Sequence, residues 1–73
     1  MSAELKTLDV VALQCEVPEK ELRRGQVGTL VEDLGDGVFE VEFSDDAGKP
    51  YAFASLKSED LLKLVHTPQA EVV

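Results

Sequence analysis

The amino-acid sequence predicts a mainly β chain: a small barrel of five short strands with one short helical turn before the last. Three observations carry that prediction. Runs of β-branched and apolar residues recur within about 60 residues, each bounded by glycine, proline or aspartate turn signals. Residues 38–43 (VFEVEF) alternate without a fault, so Phe39, Val41 and Phe43 share one face and Glu40 and Glu42 the other. Finally, 73 residues hold one small domain and exclude a two-domain enzyme. A lone sheet of that size exposes two pairing edges, so a small barrel or a partly open barrel is expected, since closure removes such edges.

The first strand is expected over residues 8–15 (LDVVALQC), where Val11, Leu13 and Cys15 share a face, and it breaks at Pro18, which cannot donate to a sheet ladder. Residues 18–25 (PEKELRRG) carry five charges and could make a helical turn, but at this length a stable free helix is marginal and the stretch reads as a long loop. Strand two covers 25–32, with Gly28 marking a bulge or a close backbone approach. Leu34-Gly35-Asp36-Gly37 is a hairpin turn, because such turns demand positive φ. Strand three follows over 38–43. Residues 44–50 make the next loop, started by Asp45. Strand four spans 51–56, with Ala52, Ala54 and Leu56 inward and Tyr51, Phe53 and Ser55 outward. Residues 57–60 form the helical turn, with Ser58 as N-cap and two acids in its first turn, and 61–65 make the last strand. The expected core is Val11, Leu13, Val27, Val31, Phe39, Val41, Phe43, Leu56, Leu61 and Leu64. The domain then runs over 7–66, with 1–6 and 67–73 as flexible termini. A long charged loop after strand one, tight hairpins among strands two to four and a helical turn before strand five are the layout of an SH3-like barrel.

Composition narrows the function classes. With 44% hydrophobic and 30% charged residues the chain is expected to fold. Fifteen acids against seven bases give a net charge of −8 and a pI near 4.4, the wrong sign for a phosphate backbone. Nucleic acid is therefore disfavoured, and another protein is the expected partner of what reads as a monomer. The single cysteine, Cys15, rules out an internal disulfide and suits a reducing cytoplasm. The N-terminus lacks the basic-then-apolar pattern of a secretory signal, and no apolar run approaches the roughly 18 residues of a membrane span.

The segments LDVVAL, PEKELRRG, GQVGTLVED, VFEVEF, DDAGKPYAFASL and DLLKL resemble a bacterial family of short proteins, the domain of unknown function 4926, over residues 7–65. The most specific pieces are residues 25–29, 38–43, and Gly48 with the Tyr51-Ala52 pair. The resemblance implies an SH3-like fold and brings no established activity and no catalytic residues. RRGQVGTLVED is also similar to the KOW motif of ribosomal and transcription-elongation proteins, which implies RNA or ribosome contact through neighbouring loops. KOW-type RNA binders are usually basic, whereas this chain is acidic.

Candidate chemistry is sparse. Cys15 would need an adjacent base to be a nucleophile, and the sole histidine, His66, follows the last strand; both read as chemically idle. One Cys and one His do not make a zinc site, and Asp45-Asp46 with Gly48 lacks the ligand spacing of a calcium loop. Gly35-Asp36-Gly37 is followed by a strand and no Lys-Ser or Lys-Thr, so it is no phosphate cradle. No catalytic, cofactor or metal residues are assigned, and a chain this small is not expected to enclose a small-molecule pocket of about 300 Å³ or more. What remains is charge. Lys20, Arg23 and Arg24 outweigh Glu19 and Glu21, so loop 18–25 is locally +1 in a chain that elsewhere has four bases against thirteen acids. In the SH3-like barrels that the chain resembles, this loop borders the groove used for partners. The candidate interaction residues are Lys20, Arg23, Arg24, Glu40, Glu42, Asp45, Asp46, Tyr51 and Phe53. Two readings follow: a non-enzymatic interaction module of antitoxin, immunity or accessory-subunit type docking on a basic partner, and a KOW-like RNA- or ribosome-associated factor.

Overall fold

The computed structural model describes residues 4–65. Five strands, β1 (Val10–Leu13), β2 (Val27–Gly35), β3 (Val38–Ser44), β4 (Pro50–Lys57) and β5 (Leu61–Lys63), form one antiparallel sheet in the order β4-β3-β2-β1-β5. The fold is mainly β, with a 3₁₀ turn at Ser58–Asp60 directly before β5. A second such turn, Pro18–Lys20, lies inside the loop that follows β1, with proline at its start, where a missing N–H costs nothing. No helix among the described residues is long and apolar enough to cross a membrane.

The hairpins follow from turn chemistry. Asp36 and Gly37 have φ of 56° and 76°, the paired positive values of a two-residue turn whose twist matches its strands. The turn thus needs only these two residues, and β2 continues to Gly35, opposite Val38, instead of stopping at residue 32. In the next hairpin the Asp45 carboxylate accepts the backbone N–H groups of Ala47 and Lys49, both at 2.9 Å, and so holds its own loop.

The inward face forms the core: Val11, Leu13, Leu22, Leu30, Phe39, Val41, Phe43, Ala54, Leu56 and Leu61 are buried. No second layer covers that face among the described residues, so the sheet must coil over itself to hide it. The Ser58–Asp60 turn ties the coil: the Ser58 N–H donates to the Gly37 carbonyl and the Gln14 N–H to the Asp60 carbonyl, each at 2.8 Å. Strands β4 and β5 remain the two sheet edges, so hydrogen bonding among the described residues leaves the expected barrel open.

Several expectations are corrected. On β2 the inward residues are Gly28 and Leu30, while Val27 and Val31 are 46% and 38% exposed. The glycine faces inward because Val41 and Phe43 already fill the space where its side chain would stand. A bulge between Leu30 and Glu32 then places Val31 outside the regular pairing. Leu64 is only half-buried, and the core holds Leu22, Leu30 and Ala54 in place of Val27, Val31 and Leu64. Strand β1 starts later than expected because Leu8 adopts φ 79°. Cys15 falls beyond its end, half-buried against the core. Strand β5 ends at Lys63, although the Leu64 N–H still donates to Val10 at 2.9 Å. The N-cap of the last 3₁₀ turn is Lys57, without a side-chain cap, because Ser58 is already its first residue. His66 and the expected tail lie outside the described residues.

Candidate functional site

On the outward face of β2, β3 and β4, alternation against the buried Phe39, Val41 and Phe43 pushes Glu40 and Glu42 outward. Register adds a residue that sequence reading missed: the bulge brings Glu32 directly opposite Glu40. Glu42 stands between Thr29 on β2 and Phe53 on β4, and Phe53 is 47% exposed. Facing like charges on a sheet are destabilising by roughly 0.2–1 kcal/mol. The Glu40 carboxylate is partly served, accepting a hydrogen bond from the Ser55 hydroxyl at 2.8 Å. No cation joins it: among the described residues the ion pair within 4.0 Å is Lys63–Asp9, at 3.5 Å, on the opposite side of the sheet. The face therefore presents three carboxylates beside an exposed aromatic ring, a combination able to pair with and stack against a guanidinium or ammonium group.

The other candidates gather at one end of the sheet. Leu22, 1% exposed, anchors the loop that follows β1, and Val17 and Leu22 form a β-bridge across it. This burial holds Arg23 and Arg24 at the surface. The Arg24 backbone N–H donates to the Glu16 carboxylate at 3.2 Å, and the Arg23 backbone N–H to the Gln26 side-chain oxygen. Gln26 in turn donates to the Tyr51 hydroxyl at 3.0 Å. A bulge at the start of β4 sets Tyr51 apart from Phe53 and leaves its ring centroid 6.4 Å from that of Phe43. Pairing of Gly28 with Phe43 brings the Asp45 and Asp46 hairpin to this same end. The candidates thus divide: Glu40, Glu42 and Phe53 on the outward face, and Lys20, Arg23, Arg24, Asp45, Asp46 and Tyr51 at the loop end. Asp45 is already engaged in its own turn.

An open groove of about 870 Å³ runs beside the last 3₁₀ turn, lined by Leu5, Phe39 and Leu61 together with Gln14, Asp33 and Glu59. It is a surface groove open to solvent and not an enclosed cavity. Cys15 is not among the groove's lining residues. Burial pushes the Cys15 thiol above its ordinary value, the Asp60 carboxylate adds to this, and Arg24 offsets part of it. The thiol is therefore protonated at neutral pH, the opposite of an activated nucleophile. No group of three or more His, Cys, Asp or Glu side chains among the described residues is placed to hold a metal ion.

A small acidic β domain, with a one-sided core and a carboxylate-rich, aromatic outward face, is the class of molecule defined by this fold. Residues 7–63 match the family described as Domain of unknown function (DUF4926), and the chain belongs to that family. No curated protein and no solved structure matches it.

Proposed function

We propose that this chain is a non-enzymatic protein-interaction module that docks on a basic partner through the outward face of β2, β3 and β4. The observation that carries the reading is a carboxylate row that no cation joins among the described residues: Glu32 faces Glu40 across the sheet, Glu42 follows, and Phe53 lies beside it. Such a row opposes folding and is relieved when a cation settles over it. A net charge of −8 would steer a basic protein toward it. An antitoxin, an immunity protein or an accessory subunit would work in this way, in a reducing cytoplasm where Cys15 stays a free thiol.

The second reading, an RNA- or ribosome-associated factor, is favoured by one feature: Arg23 and Arg24 are held at the surface by the anchored Leu22. Pull-down of the tagged protein from its native cell, with mass spectrometry, supplies a partner. Surface binding at two salt concentrations then compares Glu40→Lys/Glu42→Lys with Arg23→Glu/Arg24→Glu. Docking on a basic protein predicts a slower on-rate for Glu40→Lys/Glu42→Lys and for wild type as salt rises. Tighter binding by Glu40→Lys/Glu42→Lys, or tight binding of wild type to RNA at physiological salt, rejects it.

A further inference from the structure

The two edges of the sheet are guarded very differently. Strand β5 is three residues long and carries Lys63, whose ammonium pairs with Asp9. Strand β4 is eight residues long, and along its outer side no strand among the described residues takes up its N–H and C=O groups. Proteins usually protect such an edge with charge, proline or a bulge. Here Pro50, the neighbouring bulge and Lys57 stand at its ends. Its centre, Tyr51-Ala52-Phe53-Ala54-Ser55-Leu56, has no charge and no proline, in a chain where fifteen residues are acidic. The acids stand one strand further in: Glu42 opposite Phe53 and Glu40 opposite Ser55.

We infer that β4 receives an added strand from the partner: an extended peptide segment with lysine or arginine at alternate positions. This rests on the proposed docking to a basic protein and states its mode. Backbone pairing would satisfy the open edge, and alternation would put every basic side chain of the segment on the outward face. There its neighbours are Phe53 and Ser55, with the backbone of Glu40 and Glu42 about 10 Å away, two strand spacings. A lysine or arginine spans that gap with its own length and the reach of a glutamate, passing over the Phe53 ring. A second copy of this chain fits less well, because its β4 brings no acids to Lys57 and few bases to the glutamates.

The probe is an acetylated and amidated Val-Lys-Val-Lys-Val-Lys-Val peptide, titrated into the full-length protein and followed by backbone amide hydrogen exchange. Binding should slow exchange at alternate residues of β4. Two further peptides, N-methylated on the valines or on the lysines, keep the charge but lose the N–H donors on one side. One of them should bind about tenfold or more weakly while the other is little changed, since only one side of a strand pairs with the edge. Equal affinity of the two methylated peptides overturns strand addition, as do β4 amides that stay unprotected in a bound complex. In both cases binding that is weakened by Glu40→Lys/Glu42→Lys leaves acidic docking standing. No binding of the plain peptide overturns the inference, with the docking reading judged separately on the recovered partner. Protection of β4 in the free protein that grows with its concentration would show a second copy on the edge and would also overturn it.

Discussion

Replacing Gly28 by alanine tests the packing on which the coil depends. A Cβ at this position would lie 2.7 Å from Val41 Cγ1, 2.9 Å from the Glu42 carbonyl oxygen and 3.0 Å from Phe43 Cδ2. Carbon contacts prefer about 3.5–4.0 Å, so something must move. Phe43 and Val41 are fully buried, and Glu42 is paired with Thr29 in the β2–β3 ladder, so none of the three neighbours moves freely. Overpacking of this kind costs about 1–3 kcal/mol. Relief of glycine's backbone entropy in a strand returns roughly 0.5–1 kcal/mol. The midpoints leave a net loss of about 1 kcal/mol, which lowers Tm by roughly 4–8 °C in a domain this small.

Thermal and urea melts followed by circular dichroism measure that loss. Val41→Ala removes the methyl group nearest the new Cβ, so the double variant should lose less than the sum of the single losses, by about 0.5 kcal/mol or more. A Gly28→Ala variant as stable as wild type, or strict additivity with Val41→Ala, would refute the account of why this glycine faces inward.

Leu22→Ala should cost about 2–5 kcal/mol, because Leu22 is 1% exposed and belongs to the main core; a loss below 1 kcal/mol in a urea melt would detach the loop from the core. Glu32→Lys should stabilise the isolated protein by roughly 0.2–1 kcal/mol through an opposite-charge pair with Glu40, while slowing association with a basic partner; destabilisation would show that the carboxylates do not repel. Cys15 should react slowly with iodoacetamide at pH 7, with a midpoint above that of a free thiol; a midpoint below the ordinary thiol value would reopen a chemical role. Since the folded state holds this proton more tightly than the unfolded chain, the sign follows: its contribution to stability is complete below the unfolded pKa and falls as pH rises toward the folded one.

Residues 38–43 were the most legible part of the sequence, because a strand buried on one side writes its burial as strict alternation. Strand β4 was legible in its extent, but its small alanines and its exposed Tyr51 and Phe53 left the choice of face open until the register with β3 set it. The inward face of strand β2 was not legible, and the cause is a glycine: valines at 27 and 31 suggest an inward face, yet the inward positions belong to Gly28 and Leu30, where β3 side chains leave room for no more than a glycine at 28. Leu22 was hidden by company, one apolar residue among five charged ones in loop 18–25, with no periodicity to reveal it. Its position between Pro18 and Gly25 was the available signal, since an isolated leucine in a charged loop needs somewhere to go. Glu40, Glu42 and Phe53 could be placed outward from alternation alone, but Glu32 joins them only through a bulge, and register is a long-range property. The separation of Tyr51 from Phe53 has the same origin, a register shift that period two does not foresee.

The placement of charge across the sheet links the core to the proposed function. The inward face consumes the large apolar residues of β3, so what the fold asks of the outward positions there is modest: they must tolerate solvent. Alternating lysine and glutamate would meet that demand and add cross-strand attraction. Instead Glu32, Glu40 and Glu42 are all acidic, and the serine that bonds Glu40 eases only one of them. Meanwhile the centre of β4, the strand that most needs a guarding charge, has none. Moving a single charge outward by one strand would both relax the face and protect the edge. An arrangement that leaves both costs unpaid is the one expected where a basic, extended segment from outside the chain supplies the missing cations and the missing backbone partners together.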